Sequence, residues 1–128
     1  MKRGLLLVIA LAFLVSGIPL FAEYSKDATV KAMKENLAGL MKAKKAAAES
    51  DFLAAADGLM AIAKNALMLS TMDPPKGDKA VWSETQKQLA RAAFKAIGAC
   101  GVGDKAALDA ALSEITSVQG RGHGTFRG

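Results

Sequence analysis

The sequence predicts an all-α protein, an antiparallel four-helix bundle that follows an export signal. Alanine is abundant, and no stretch alternates apolar with polar residues as a half-buried strand would. Four segments carry apolar residues at helical spacing, and three breaks separate them. Amphipathic helices joined by short or moderate loops form such a bundle. We expect the four helices at about 25–48, 51–70, 80–98 and 104–126.

The first 22 residues resemble a secretory signal. A basic start, MKRG, precedes the apolar run LLLVIALAFLV, which is too short for a comfortable membrane span. The segment SGIPLFA then breaks the helix and ends in a small residue, so we expect cleavage after Ala22. The alternative is an uncleaved membrane anchor. No cysteine lies near the cleavage site, which argues against a lipid anchor.

The charge balance does not indicate a nucleic-acid partner. The full chain has 17 basic and 12 acidic residues, a net charge of +5. Removing Lys2 and Arg3 with the signal leaves +3 on the mature chain, 23–128. So few charges, spread along the chain, do not form a binding patch. We predict a periplasmic or secreted protein without a membrane contact once the signal is cleaved.

Two apolar stripes define the first two helices. The first consists of Val30, Met33, Leu37, Leu40 and Met41, and the second of Phe52, Ala56, Leu59, Ala63 and Leu67. Between them, Ser50 and Asp51 are good helix caps. A single helix over 26–70 is the alternative, but it could not fold into a compact domain of this size. We therefore expect a turn at 49–51.

Prolines and glycines mark the other two breaks. Pro74 and Pro75 end the second helix, and Gly77 favours a surface loop. The third helix directs Trp82, Leu89, Ala93 and Ala96 inward, and GACGVG is expected to stop it. Asp104 then caps the fourth helix, whose stripe is Leu108, Leu112, Ile115, Gln119, Gly122 and Phe126. A three-helix bundle is the alternative architecture.

The sequence shows no arrangement typical of an enzyme. Cys100 is the only cysteine, so the chain has no internal disulfide, and we expect this side chain to be packed. There is no C-x-x-C, no G-x-S-x-G and no glycine-rich phosphate loop after a strand. The carboxylates of Glu84, Asp104, Asp109 and Glu114 show no paired arrangement.

The end of the fourth helix contains the candidate ligand-binding residues. Its stripe becomes small and polar at Gln119 and Gly122, beside His123, the only histidine. Phe126 and Arg127 follow three and four residues later. This stretch resembles the cytochrome c-prime and cytochrome c-556 family, whose last helix carries C-x-x-C-H-x-x-[FY]-R. The soluble periplasmic b-type four-helix cytochrome is a structural relative of that family.

The resemblance extends over the mature chain. VKAMKENLAGL is similar to the family's first helix, and the Val81–Trp82 pair, AAF and GDKAALDAAL follow in the family's order. In the family, two cysteines bind haem covalently and the histidine binds its iron. Here Gln119 and Gly122 occupy the cysteine positions, so any haem would be non-covalent, of b type.

The resemblance implies a haem-binding bundle for electron transfer or gas binding. His123 would be the iron ligand, and Arg127 would contact a propionate. The expected apolar pocket consists of Val30, Met33, Leu37, Trp82, Phe94, Ile97 and Phe126. Val30 stands where some members carry a distal methionine, and Met33 lies one turn further on. Implied partners are a redox protein and a second copy of the chain.

A haem-free bundle that acts as a binding or interaction module is the alternative. Gly120, Gly122 and Gly124 would each cost the helix roughly 1 kcal/mol relative to alanine. On this hypothesis the last turns are loose unless a ligand orders them.

Export gives a first testable prediction. Mass spectrometry of the exported protein should find an N-terminus within a few residues of Glu23. Recovery of Met1 in a membrane fraction would instead show an uncleaved anchor.

Overall fold

The computed structural model describes residues 21–126, which form four packed helices and no strand. Helix α1 spans Lys26–Ala48, α2 Phe52–Ser70, α3 Lys79–Val102 and α4 Lys105–Phe126. The all-helical prediction is confirmed. The three-helix alternative and the continuous helix over 26–70 are both wrong.

Side-chain caps explain where the helices begin. Ser25, Asp51, Asp78 and Asp104 each accept a hydrogen bond from the backbone N–H three residues later, at 3.2, 3.2, 2.9 and 3.0 Å. Each cap satisfies one of the N–H groups that a helix leaves without an internal partner. Between α1 and α2 the chain reverses at Ser50, whose φ is 53°. The turn predicted at 49–51 is therefore present.

Helix α3 is longer than predicted, because GACGVG does not stop it at 98. The helix passes through Gly98 and Gly101, which have open space where a side chain would lie, and ends at Val102. Gly103 caps the helix end, with φ 69° and its N–H donating to the Cys100 carbonyl at 3.2 Å. Cys100 is buried in this last part of α3, and burial raises the pKa of its thiol.

Helices α1 and α2 touch through their backbones at two glycines. A methyl group on Gly58 would lie 2.5 Å from the Gly39 carbonyl oxygen, and one on Gly39 would collide with the Gly58 carbonyl. Small residues on both helices extend this contact. Asn65 adds polar links, donating to Asn36 at 3.1 Å and to Glu35 at 3.0 Å. The close crossing therefore fixes α1 against α2.

The stripe predicted for α1 does not form the interior face. Only Leu40 of that set is buried, whereas Val30, Met33, Leu37 and Met41 are exposed. The buried face of α1 consists mainly of small residues, because the crossing with α2 leaves no room for larger ones. In α2, Leu67 is likewise exposed, and Ala55, Gly58, Ile62, Ala66 and Leu69 join Leu59 and Ala63 in the interior.

By length and hydropathy, α2 is the helix of the described part that could cross a membrane. Its apolar residues have another role here, because Leu59, Ile62 and Leu69 are buried between neighbouring helices. Its place in the core therefore accounts for part of this composition, since 44% of the apolar window is buried. The main core joins all four helices, and a smaller one gathers Ala32, Leu69, Met72, Trp82 and Phe126.

The chain entering α1 is tied to the loop between α2 and α3. The Ala22 N–H donates to the Thr71 carbonyl at 2.7 Å, and the Ala22 carbonyl accepts from the Asp73 N–H at 2.8 Å. Cleavage after Ala22 would remove both bonds. Residues 1–20 of the predicted signal lie outside the described residues.

The glycine contact gives a second prediction. Gly58→Ala should lower the free energy of unfolding by about 2 kcal/mol, because the helices must separate to admit the methyl group. Urea unfolding followed by circular dichroism measures this. Gly98→Ala is the matched control, because the site is open and helical, and it should raise stability by roughly 0.5 kcal/mol. Equal changes in the free energy of unfolding for Gly58→Ala and Gly98→Ala would contradict the close contact between α1 and α2.

Candidate ligand cleft between α1 and α4

Helices α1 and α4 leave a cleft between them. Consecutive helices pack along their lengths, but α1 and α4 meet over only a few residues. The cleft has a volume of about 500 Å³, with α3 behind it. This volume is within the range of small-molecule sites, ~300–1,000 Å³.

The lining is mainly apolar, with a few polar groups. All four helices and their flanking segments contribute, α2 through Leu69 alone; the lining residues are Tyr24, Lys26, Thr29, Val30, Met33, Lys34, Asn36, Leu37, Leu69, Pro75, Trp82, Thr85, Gln86, Leu89, Val118, Gln119, Gly122, His123 and Phe126. Within residues 21–126, no carboxylate contributes to this wall. Apolar walls with sparse polar groups are typical of ligand sites.

Trp82 and Phe126 close one end of the cleft. The rings meet edge to face, with centroids 5.1 Å apart and an interplanar angle of 82°. The Trp82 indole N–H donates to the Leu69 carbonyl at 2.7 Å, at the end of α2. Both side chains are buried, Trp82 to 1% exposure and Phe126 to 4%. The glycine-rich end of α4 is thus anchored to α2 and α3.

The cleft gathers most of the residues predicted to form a haem site. Val30, Met33, Leu37, Trp82 and Phe126 line it together with His123 and the two positions of the absent cysteines, Gln119 and Gly122. Gln119 and Gly122 are half-buried, while His123 is exposed at the rim.

Two predicted pocket residues lie elsewhere. Phe94 is 51% exposed, and Ile97 packs against the main core. They follow Trp82 on α3 by about 18 and 22 Å along the helix axis, which is too far to reach the same cleft. Arg127 lies outside the described residues, so its predicted contact with a propionate stays a prediction.

Gln86 also lines the cleft, although the sequence alone did not predict a role for it. It lies one turn after Trp82, and its Oε1 is buried without a hydrogen-bond partner among the described residues. A signal was available, because Trp82, Gln86, Leu89 and Ala93 share one face of α3. A polar residue in an otherwise apolar stripe was therefore visible in the sequence.

His123 is the cleft residue whose imidazole can bind a metal. Within residues 21–126, no three histidine, cysteine or carboxylate side chains form a metal-binding group. An iron atom beside His123 would therefore need its other ligands from a cofactor such as a porphyrin. Met33 supplies a thioether in the same cleft.

Comparison with known proteins leaves the family open. No family model, curated protein or solved structure matches the chain.

The aromatic contact gives a third prediction. Phe126→Ala should lower the free energy of unfolding by about 3 kcal/mol, the lower end for a buried phenylalanine because the last turn can fray. Trp82 is the only tryptophan, so its fluorescence should shift to the red as water reaches the ring. Phe94→Ala, at an exposed site on α3, is the control and should change neither quantity much. An unchanged spectrum in Phe126→Ala would show that the rings do not pack.

Proposed function

We propose that the protein binds haem non-covalently in the cleft, as an exported cytochrome c-prime-like bundle for electron transfer or gas binding. One observation carries the proposal. His123, the two positions matching the attachment cysteines and five of the predicted apolar residues line the same cleft. They come from α1, α3 and α4, so their meeting does not follow from proximity in sequence.

The contacts between helices support the antiparallel arrangement of that family. Near one end of the bundle Thr29 of α1 contacts Met72, while further along α1 Lys42 pairs with Asp57 at the start of α2. The start of α3 and the end of α4 meet at Trp82 and Phe126. Later in α3, Lys95 pairs with Glu114, which lies earlier in α4.

The residues present fit a porphyrin. The apolar walls match its ring, and Gly122 adds no side chain at the position of the second absent cysteine. When bound, haem supplies an iron centre that can exchange an electron or take up a diatomic gas. The chain would provide His123 as an iron ligand and exclude water with its apolar walls. A redox partner and a homodimer belong to the same proposal.

The anchoring of Phe126 favours a second candidate, the haem-free binding module. The last turns of α4 are helical, and Phe126 packs on Trp82 through a contact made by the chain's own side chains. This contact gives the glycine-rich end an anchor that is independent of the residues proposed to hold haem iron.

Haemin titration distinguishes the two candidates and is the fourth prediction. At micromolar concentrations the wild type should give a shifted Soret band, and acidified butanone should extract all of the haem. His123→Ala should abolish the shifted band because the imidazole ligand is lost.

Cys100→Ser is the matched control. Cys100 is buried away from the cleft, so this substitution should leave the haemin spectrum unchanged. Absence of a Soret shift in the wild type would reject haem binding in favour of the haem-free module.

A further inference from the structure

The buried amide of Gln86 indicates what the cleft recognises. The residue is 8% exposed, and its Oε1 has no hydrogen-bond partner in residues 21–126. A buried polar atom without a partner destabilises the folded state, and natural proteins contain few of them. Because Gln86 lines the cleft, rotation of its amide toward the cleft would let a ligand there supply the missing hydrogen bond.

The charge of the cleft gives a second, independent indication. Lys26 and Lys34 of α1 line it, and neither takes part in an ion pair within the described range. By contrast Lys31, on the same helix but outside the cleft, pairs with Glu35. Since no described carboxylate lines the cleft, these two ammonium groups favour an anionic ligand.

We propose that the cleft recognises an apolar molecule carrying carboxylates, with Lys26 and Lys34 contacting the carboxylates and Gln86 hydrogen-bonding a polar group of the ligand. The inference rests on the proposed function, because it takes haem as a ligand of this kind. Haem is apolar and carries two propionate groups. Its recognition groups do not involve the iron. A long-chain fatty acid shares the chemistry and is the other source that the experiment must distinguish.

Titration with iron-free protoporphyrin IX tests the lysines, with quenching of Trp82 as the readout. The double variant Lys26→Gln, Lys34→Gln should bind at least tenfold more weakly than the wild type, and the affinity of the wild type should fall with added salt. Lys31→Gln, the matched control on the same helix, should bind as the wild type does. Equal affinities of the double variant and the control, or no binding of either protoporphyrin IX or palmitate to the wild type, would overturn the proposal.

Palmitate distinguishes the two sources of carboxylate. Displacement of protoporphyrin IX by equimolar palmitate would support the proposal with a fatty acid as the ligand. Retention of protoporphyrin IX would support it with a porphyrin as the ligand.

Gln86→Met tests the amide, with Gln88→Met on the exposed side of α3 as the control. Gln86→Met should weaken protoporphyrin IX binding severalfold and yet raise the urea midpoint of the ligand-free protein, because the unpaired amide is gone. Gln88→Met should change neither. Unchanged protoporphyrin IX binding or a lowered urea midpoint in Gln86→Met would show that the Gln86 amide does not bind the ligand.

His123→Ala separates this inference from the proposed function. The variant should lose the haemin Soret shift, while the protoporphyrin IX binding that it retains should still depend on Lys26 and Lys34, since the metal-free ring has no iron to ligate. Lysine-dependent binding of protoporphyrin IX or palmitate without any haemin spectrum would reject the haem function and support the inference. A haemin spectrum that depends on His123 but not on Lys26 and Lys34 would support the haem function and reject the inference.

Discussion

The edge-to-face contact between Trp82 and Phe126 holds the ends of α2, α3 and α4 beside the cleft together. Trp82 fixes the start of α3 to the end of α2 by donating to the Leu69 carbonyl, and Phe126 then fixes the end of α4 to the same ring. An edge-to-face pair adds roughly 1 kcal/mol to the burial of two large side chains. His123 lies three residues before Phe126, so this contact also determines where the imidazole stands relative to α1. Without it, three glycines would leave the last turns of α4 free to fray.

The cleft is a consequence of how α1 packs. At Gly39 and Gly58 the backbones of α1 and α2 come so close that only small residues fit between the helices. The larger apolar side chains of α1, such as Val30 and Leu37, are thereby placed on the side that faces α4 and solvent. A contiguous exposed apolar surface is uncommon in a monomeric protein and usually marks a binding site. The same packing that stabilises one helix pair therefore produces an apolar wall opposite His123.

The sequence predicted the elements well because their signals are local. Caps at Asp51 and Asp104 and the prolines at 74 and 75 act within a few residues, and the structure has helix ends there. The predictions that failed depend on contacts between helices. The apolar stripe on α1 is visible in the sequence, but the face that it occupies is not, because the tight crossing with α2 selects small residues for the interior. Phe94 was included in the pocket by its chemistry, and only its distance along α3 excludes it.

The polar groups of the cleft link stability to binding. An unpaired amide at Gln86, two lysines without carboxylate partners and exposed apolar residues on α1 are each unfavourable, or at best neutral, in the ligand-free protein. A ligand that satisfies them binds the folded state and not the unfolded chain, and so it raises stability in proportion to the logarithm of its concentration. A methyl group on Gly122 would make an ordinary contact with Thr85 at 3.7 Å, so nothing in the structure explains the glycines at 120, 122 and 124. The end of α4 thus places the Phe126 anchor beside a cleft whose apolar and cationic groups favour an apolar anion as the proposed ligand.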